Sequence, residues 1–214
     1  MVSKVTRKIV LLIIFSIALM PLNVYAQKPT AKTFFDIGIE NAAKSEFSEA
    51  IDNFKYAIKL KPDYARAHFN LGHAYYSLHR YEEALAAYRN AVKSNPKYAD
   101  AYIELANVYS MLGETGKAVK ALETAVKAKP HSAGAQFALG NLYSELKRYK
   151  DAVKAYKKVV KIKPEFARAR FNLGVAYTKL SKKMLSEAKR EYRALRKLDK
   201  GLAKELSKIL RGKK

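Results

Sequence analysis

The sequence predicts an all-α solenoid of about five helix-turn-helix units, closed by a C-terminal capping helix. Three observations carry this. A motif recurs with a period of 34 residues, so that units 31–64, 65–98, 99–132 and 133–166 follow without gaps and a fifth fills 167–200. Within a unit, apolar residues fall at three- and four-residue steps, as in Leu139, Leu142, Tyr143 and Leu146 and again in Ala152, Val153, Tyr156, Val159 and Val160, which is helical spacing. Pro62, Pro96, Pro130 and Pro164 stand at the same place near successive unit ends. A proline there lacks the amide donor and clashes with the preceding turn, so it stops a helix.

Residues 1–26 differ from everything after them. Lys4, Arg7 and Lys8 form a basic start, Ile9 to Met20 is an apolar run of 12, and Pro21 breaks it before Val24 and Ala26. That order reads as a signal peptide, cleaved between Ala26 and Gln27. The run is short against the ~20 residues that cross a bilayer. The alternative is an anchor formed by residues 9–26, whose basic start would stay inside and leave the rest facing outward. Both readings place the remainder outside the cytoplasm, periplasmic or secreted. Residues 27–30 are a short linker.

Each unit opens on a large-small pair: Ile37-Gly38, Leu71-Gly72, Leu105-Ala106, Leu139-Gly140 and Leu173-Gly174. An aromatic follows at Tyr75, Tyr109, Tyr143 and Tyr177. Further on come Ala50, Ala84, Ala118, Ala152 and Ala188, followed four residues later by Phe54, Tyr88, Leu122, Tyr156 and Tyr192. The small residues let two helices approach and the large ones fill the space beside them. Segments such as Leu78-His79-Arg80 and Leu146-Lys147-Arg148 divide the two helices of a unit.

Over residues 31–200 the pattern resembles the tetratricopeptide repeat family, most strongly in the stretches 69–75 and 171–177. The family's tryptophan near the start of the first helix is replaced by Phe34, His68, Tyr102, Gln136 and Arg170. The fifth unit departs further: two extra residues lie between Tyr177 and Ala188, and no proline closes it near Lys200. A terminal unit has no successor to pack against. In the basic stretch 201–214, Leu202, Leu206, Ile209 and Leu210 make the apolar stripe of a capping helix and tail.

Nothing in the sequence forms a catalytic constellation, and the chain is read as neither an enzyme nor a cofactor or metal protein. The absence of cysteine excludes disulfides, thiolate zinc sites and cysteine nucleophiles. His68 and His73, five apart on a helix, point roughly 140° away from each other. His79 and His131 fall in turns. Gly38, Gly72, Gly140 and Gly174 are spaced by the repeat rather than by a phosphate loop, and Glu82 and Glu83 complement a helix dipole.

The resemblance implies a right-handed superhelix whose concave face, lined by the first helices, receives an extended peptide or a helix of a partner protein. The groove positions fall on Arg66, Phe69, Asn70, His73 and Tyr76, then Asp100, Ile103, Glu104, Asn107 and Met111, then Phe137, Asn141 and Ser144, then Arg168, Phe171, Asn172 and Lys179. Asparagines can pair with a peptide backbone, and the Phe/Ile series either offers apolar pockets or packs between helices. The chaperone-carboxylate clamp known in the family is excluded: only Asn70 matches it, and Asp100 and Glu104 would repel a carboxylate.

Charge is the least ordinary feature. The chain carries a formal +23, and residues 133–214 hold 24 basic against 7 acidic residues while 27–132 hold 15 against 12. Lys154, Lys157, Lys158 and Lys161, with Arg190, Arg193, Arg196 and Lys197, form a candidate patch for an anionic membrane or envelope polymer. The alternative is a solvated face. Nucleic acid is disfavoured because it is scarce outside the cytoplasm.

Overall fold

The computed structural model describes residues 28–181 and 184–212, so the segment read as a signal peptide lies outside the described residues. Among these, every regular element is helical. The pairs are α1 (Ala31–Ala43) and α2 (Phe47–Leu60), α3 (Ala65–Ser77) and α4 (Tyr81–Ser94), α5 (Ala99–Met111) and α6 (Thr115–Ala128). They continue with α7 (Ala133–Glu145) and α8 (Tyr149–Ile162), then α9 (Ala167–Leu180) and α10 (Leu185–Leu198), and end in α11 (Lys200–Arg211). Each first helix packs on its own second helix, and each second helix on the next first helix, which is the neighbour-only contact scheme of a solenoid.

The recurring small residue sets the distance within a pair. A Cβ built on Gly38 would fall 2.6 Å from the Phe54 ring, on Gly72 2.5 Å from Tyr88, and on Gly140 2.6 Å from Tyr156. These rings fill the units and are at most 1% exposed, and in the third unit Leu122, 2% exposed, stands at the equivalent position.

The turn inside units one to four is also fixed. Arg80 N–H reaches the Tyr75 carbonyl and His79 N–H that of Tyr76, and the same two bonds recur at residues 45–46, 113–114 and 147–148. This C-terminal motif needs one left-handed residue. Gly113 supplies it at φ 75°, whereas Ser45, His79 and Lys147 adopt φ of 64°, 58° and 59° with a side chain attached.

In two units the residue at the tryptophan position is a polar side chain that ties down the proline turn. His68 Nε2 lies 2.9 Å from the Pro62 carbonyl, and Arg170 Nε donates to the Pro164 carbonyl at 2.7 Å. Arg170 also donates through Nη1 to Glu191 at 3.0 Å, an ion pair in which Glu191 is only 3% exposed.

The two ends differ from the interior. On α1, Thr33, Glu40 and Asn41 stand where α3 has the buried Ala67, Ala74 and Tyr75, so the outer face of the first unit is polar. At the other end α11, N-capped by Asp199, buries Ala203, Leu206 and Leu210, with Leu202 and Ile209 half-buried. Here the pattern of large residues is corrected. Tyr192 does not repeat the role of Tyr156: a Cβ on Gly174 would meet Leu206 at 2.6 Å, so the capping helix supplies the filling side chain. Tyr192 is half-buried and lines clefts beside α11 instead.

Candidate functional site

First helices of successive units reach one another through side chains, which identifies the inner face. Tyr76 on α3 donates its hydroxyl to Met111 Sδ on α5 at 3.3 Å. Asn172 on α9 donates Nδ2 to Asn141 Oδ1 on α7 at 2.9 Å. The Tyr156 hydroxyl donates to that same Asn141 oxygen at 2.8 Å and lies 3.3 Å from Ser144 Oγ, so the floor of units four and five is a closed polar network.

The other sequence-derived groove residues lie along this face with different degrees of freedom. Phe69 packs 4.8 Å from the Tyr98 ring and 5.8 Å from Tyr88, and Phe137 packs in the same way on Phe166 and Tyr156, at 4.9 and 5.9 Å. Both rings are half-buried on internal partners, so they present edges rather than open apolar pockets. Ile103 and Phe171 are likewise half-buried. Asn70 turns its amide back to the Arg66 carbonyl at 2.8 Å, and Asn107 donates to Glu104 Oε2 at 3.0 Å. Arg66 is exposed with its guanidinium 5.0 Å over the Phe35 ring, and Arg168 is exposed. His73 stands edge-on to Phe69 at 4.5 Å and to Tyr88 at 5.6 Å. Burial holds its imidazole below the usual histidine range, with Glu104 pulling weakly the other way.

Sequence reasoning missed the hydroxyls beneath this face. Tyr88 and Tyr156 read as core filling because they recur with the small residues, yet their polar ends form the groove floor. Tyr88 has no hydrogen-bond partner for its buried hydroxyl, and burial, followed by Glu104, pushes its phenol up.

On the side of the second helices, all eight residues of the basic patch are exposed. Among the described residues only Lys154 and Arg190 of the eight have a carboxylate within 4.0 Å, Asp151 and Glu187. Arg193 and Lys197 border a cleft of about 540 Å³ with Pro164, Glu165 and Leu198. The described residues contain no cluster of three or more His, Cys, Asp or Glu able to hold a metal, and no helix long and apolar enough to cross a membrane.

Comparison with known proteins adds sequence and fold relatives. A family model described as TPR repeat matches residues 41–79, 72–113 and 140–181, and one described as tetratricopeptide repeat matches 99–142. No curated protein matches the sequence. A crystal structure of MamA protein superposes with a TM-score of 0.71 at 28% identity, covering 81% of this chain and 94% of that one. YrrB, described as a TPR protein with an unusual peptide-binding site, gives 0.72 at 21% identity over 86% and 95%. MamA from Desulfovibrio magneticus RS-1 gives 0.68 at 21% identity over 80% and 96%, which speaks for the fold alone.

Proposed function

The chain belongs to the tetratricopeptide repeat family, and from that premise we propose that it is an exported, non-catalytic scaffold or adaptor for cell-envelope assembly or maintenance. It receives a partner protein, as an extended peptide or a helix, along the face of its first helices. One observation carries this reading: half-exposed aromatic and amide side chains run along that face and link unit to unit, as Tyr76 does to Met111 and Asn172 to Asn141. Amide groups and ring edges suit a peptide backbone and its side chains. The peptide-binding site named for YrrB, on a protein of the same fold, supports the choice. The basic start, apolar run and Ala26 support export.

Site-specific photocrosslinking in the native cell tests the groove. Crosslinkers at Phe69 and Asn172 are expected to trap one and the same protein, and a crosslinker at Lys120, exposed on a second helix, is not. Trapping from Lys120 alone refutes the groove. Mass spectrometry of the native protein is expected to find Gln27 at the N-terminus, and a soluble cytoplasmic species retaining Met1 refutes export.

A second reading has its own observation, the eight exposed cations of which six lack a carboxylate partner among the described residues. It makes this surface a binder of anionic membrane or envelope polymer, at about 1 kcal/mol per basic residue near an anionic bilayer. Binding to phosphatidylglycerol vesicles at low salt is expected to fade as ionic strength rises. Replacing Lys154, Lys157, Lys158, Arg190 and Arg193 with Glu is expected to abolish it with helicity intact. Equal binding by parent and variant refutes this reading.

A further inference from the structure

The internal repeat supplies its own control for the groove. In the fourth unit the Tyr156 hydroxyl is held by Asn141, and Asn172 of the next unit completes the network. Two repeats earlier in the same scaffold, in the second unit, Tyr88 occupies the place of Tyr156, His73 that of Asn141 and Tyr76 that of Ser144. Glu104 of the next unit stands where Asn172 stands. The amide network is therefore exchanged for an imidazole and a carboxylate, and the Tyr88 hydroxyl is left buried without a partner. A buried hydroxyl without a bond is costly, and such groups in folded proteins are few.

Glu104 is as conspicuous as the hydroxyl. Among the described carboxylates that are not fully exposed, Glu83, Glu114, Asp151, Glu187 and Glu191 each have a basic side chain within 4.0 Å. Glu123 takes the Tyr143 hydroxyl, and Asp199 caps α11 through Leu202 N–H. Among the described residues Glu104 has only the Asn107 amide, although the chain carries 42 basic residues against 19 acidic. The groove cations are directed elsewhere: Arg66 lies over Phe35, and Lys129 lies 3.8 Å from Asp100, near the start of α5. Burial lowers the His73 pKa, against a smaller opposing pull from Glu104, and so disfavours the imidazolium that would supply the missing charge.

We propose that Glu104, with Tyr88 and His73 beside it, forms a subsite that receives a basic side chain, the ammonium of lysine or the guanidinium of arginine, from the partner segment. The inference rests on the groove reading and adds the chemistry of what enters it. A half-buried carboxylate without a counter-cation is strengthened most by an incoming charge-assisted hydrogen bond. An ammonium bound there has donors to spare for the tyrosine hydroxyls, and the Phe69 and His73 rings offer their edges and faces to its methylene stem.

The test is an NMR titration of the full chain, following the ring signals of its four histidines, assigned by single substitutions. The probes are Nα-acetyl-lysine methylamide, its norleucine analogue and Nα-acetyl-glutamate methylamide at matched ionic strength. The lysine probe is expected to shift the His73 signal saturably, the other two to leave it in place, and His79 and His131 not to move. Glu104→Gln is expected to weaken the lysine probe roughly tenfold or more, as loss of a charged hydrogen bond does. Asp100→Asn, on the same helix, is expected to change it less than threefold. No saturable shift with the lysine probe, or equal losses in the two variants, overturns the proposal. If the glutamate probe shifts groove signals instead, the groove reading survives and the basic subsite fails. If crosslinkers at Phe69 and Asn172 also trap no protein, both fail.

Discussion

The distance between the two helices of a unit rests on residues that carry no side chain, and a pair of glycines on α7 isolates that effect. Gly140→Ala would place a methyl 2.6 Å from Tyr156 Cε1, whereas at Gly134 on the same helix a Cβ meets nothing within 4 Å. Restoring ordinary contact requires the Tyr156 ring to retreat by roughly 1 Å in a core packed near crystal density. The ring is not free to do so: it is 1% exposed, lies 5.9 Å from Phe137, and is tethered through its hydroxyl to Asn141 at 2.8 Å. Both substitutions gain helix propensity, at most ~1 kcal/mol. Overpacking costs ~1–3 kcal/mol, and a stretched hydroxyl bond adds ~1 kcal/mol. The net expectation is a loss of about 2 kcal/mol for Gly140→Ala and a gain of up to ~1 kcal/mol for Gly134→Ala. At this chain length each kcal/mol moves Tm by ~2–4 °C, so the two variants should separate by roughly 6–12 °C in thermal circular dichroism. If both alanines stabilise alike, the helices are not held apart by Tyr156 and the account of the repeat is wrong.

The two equivalent tyrosines give a second contrast. Tyr156→Phe leaves Asn141 and Asn172 without their shared hydroxyl and is expected to cost ~1 kcal/mol, while Tyr88→Phe, which deletes a hydroxyl without a partner, is expected to cost nothing measurable in urea unfolding. Arg170→Met strands Glu191 at 3% exposure along with the Pro164 carbonyl, and is expected to cost ~3–5 kcal/mol. Full stability of that variant in a thermal melt would show that the buried pair is not maintained in solution. His73 sets a pH dependence: its folded-state pKa is depressed by burial, so the unfolded chain takes up the proton first. Stability is therefore intact above the ordinary histidine pKa of ~6.5 and declines as pH falls below it. The decline is expected to be shallower in His73→Gln, and parallel curves would refute it.

Much of the fold was legible because it is periodic. The recurrence of a small residue 16 positions before a large one, Gly38 and Phe54 or Gly140 and Tyr156, anticipates a contact that the structure makes at van der Waals range or closer. Legibility ended where periodicity did. The two extra residues before Ala188 leave Tyr192 in sequence register with Tyr156 but not in its place, and Leu206 on α11 fills the space against Gly174. A contact between a terminal helix and the last regular one has no earlier copy in the chain from which to read it. The roles of His68 and Arg170 were hidden for a related reason. Their partners, the Pro62 and Pro164 carbonyls, are backbone atoms that no residue pattern displays.

The groove was legible as a row of positions and not as chemistry. Spacing puts Asn70, Asn107, Asn141 and Asn172 on one face, but it does not say that Asn70 turns back on its own helix while Asn141 bridges two units. That difference is set by which group stands opposite, and it divides the groove into two kinds of floor. Between units four and five the groove-floor groups Asn141, Tyr156 and Asn172 satisfy one another, which fixes their rotamers and leaves a preorganised surface that costs little ordering on binding. Among the described residues, units two and three keep a buried hydroxyl without a partner and a carboxylate without a cation, which an incoming basic side chain would satisfy under the proposed subsite. Discrimination between partners is strongest where one partner satisfies buried polar groups and another leaves them unpaired. If Glu104 receives a basic side chain as proposed, the fourth and fifth units would supply shape, and selectivity would be concentrated at Glu104 and its neighbours.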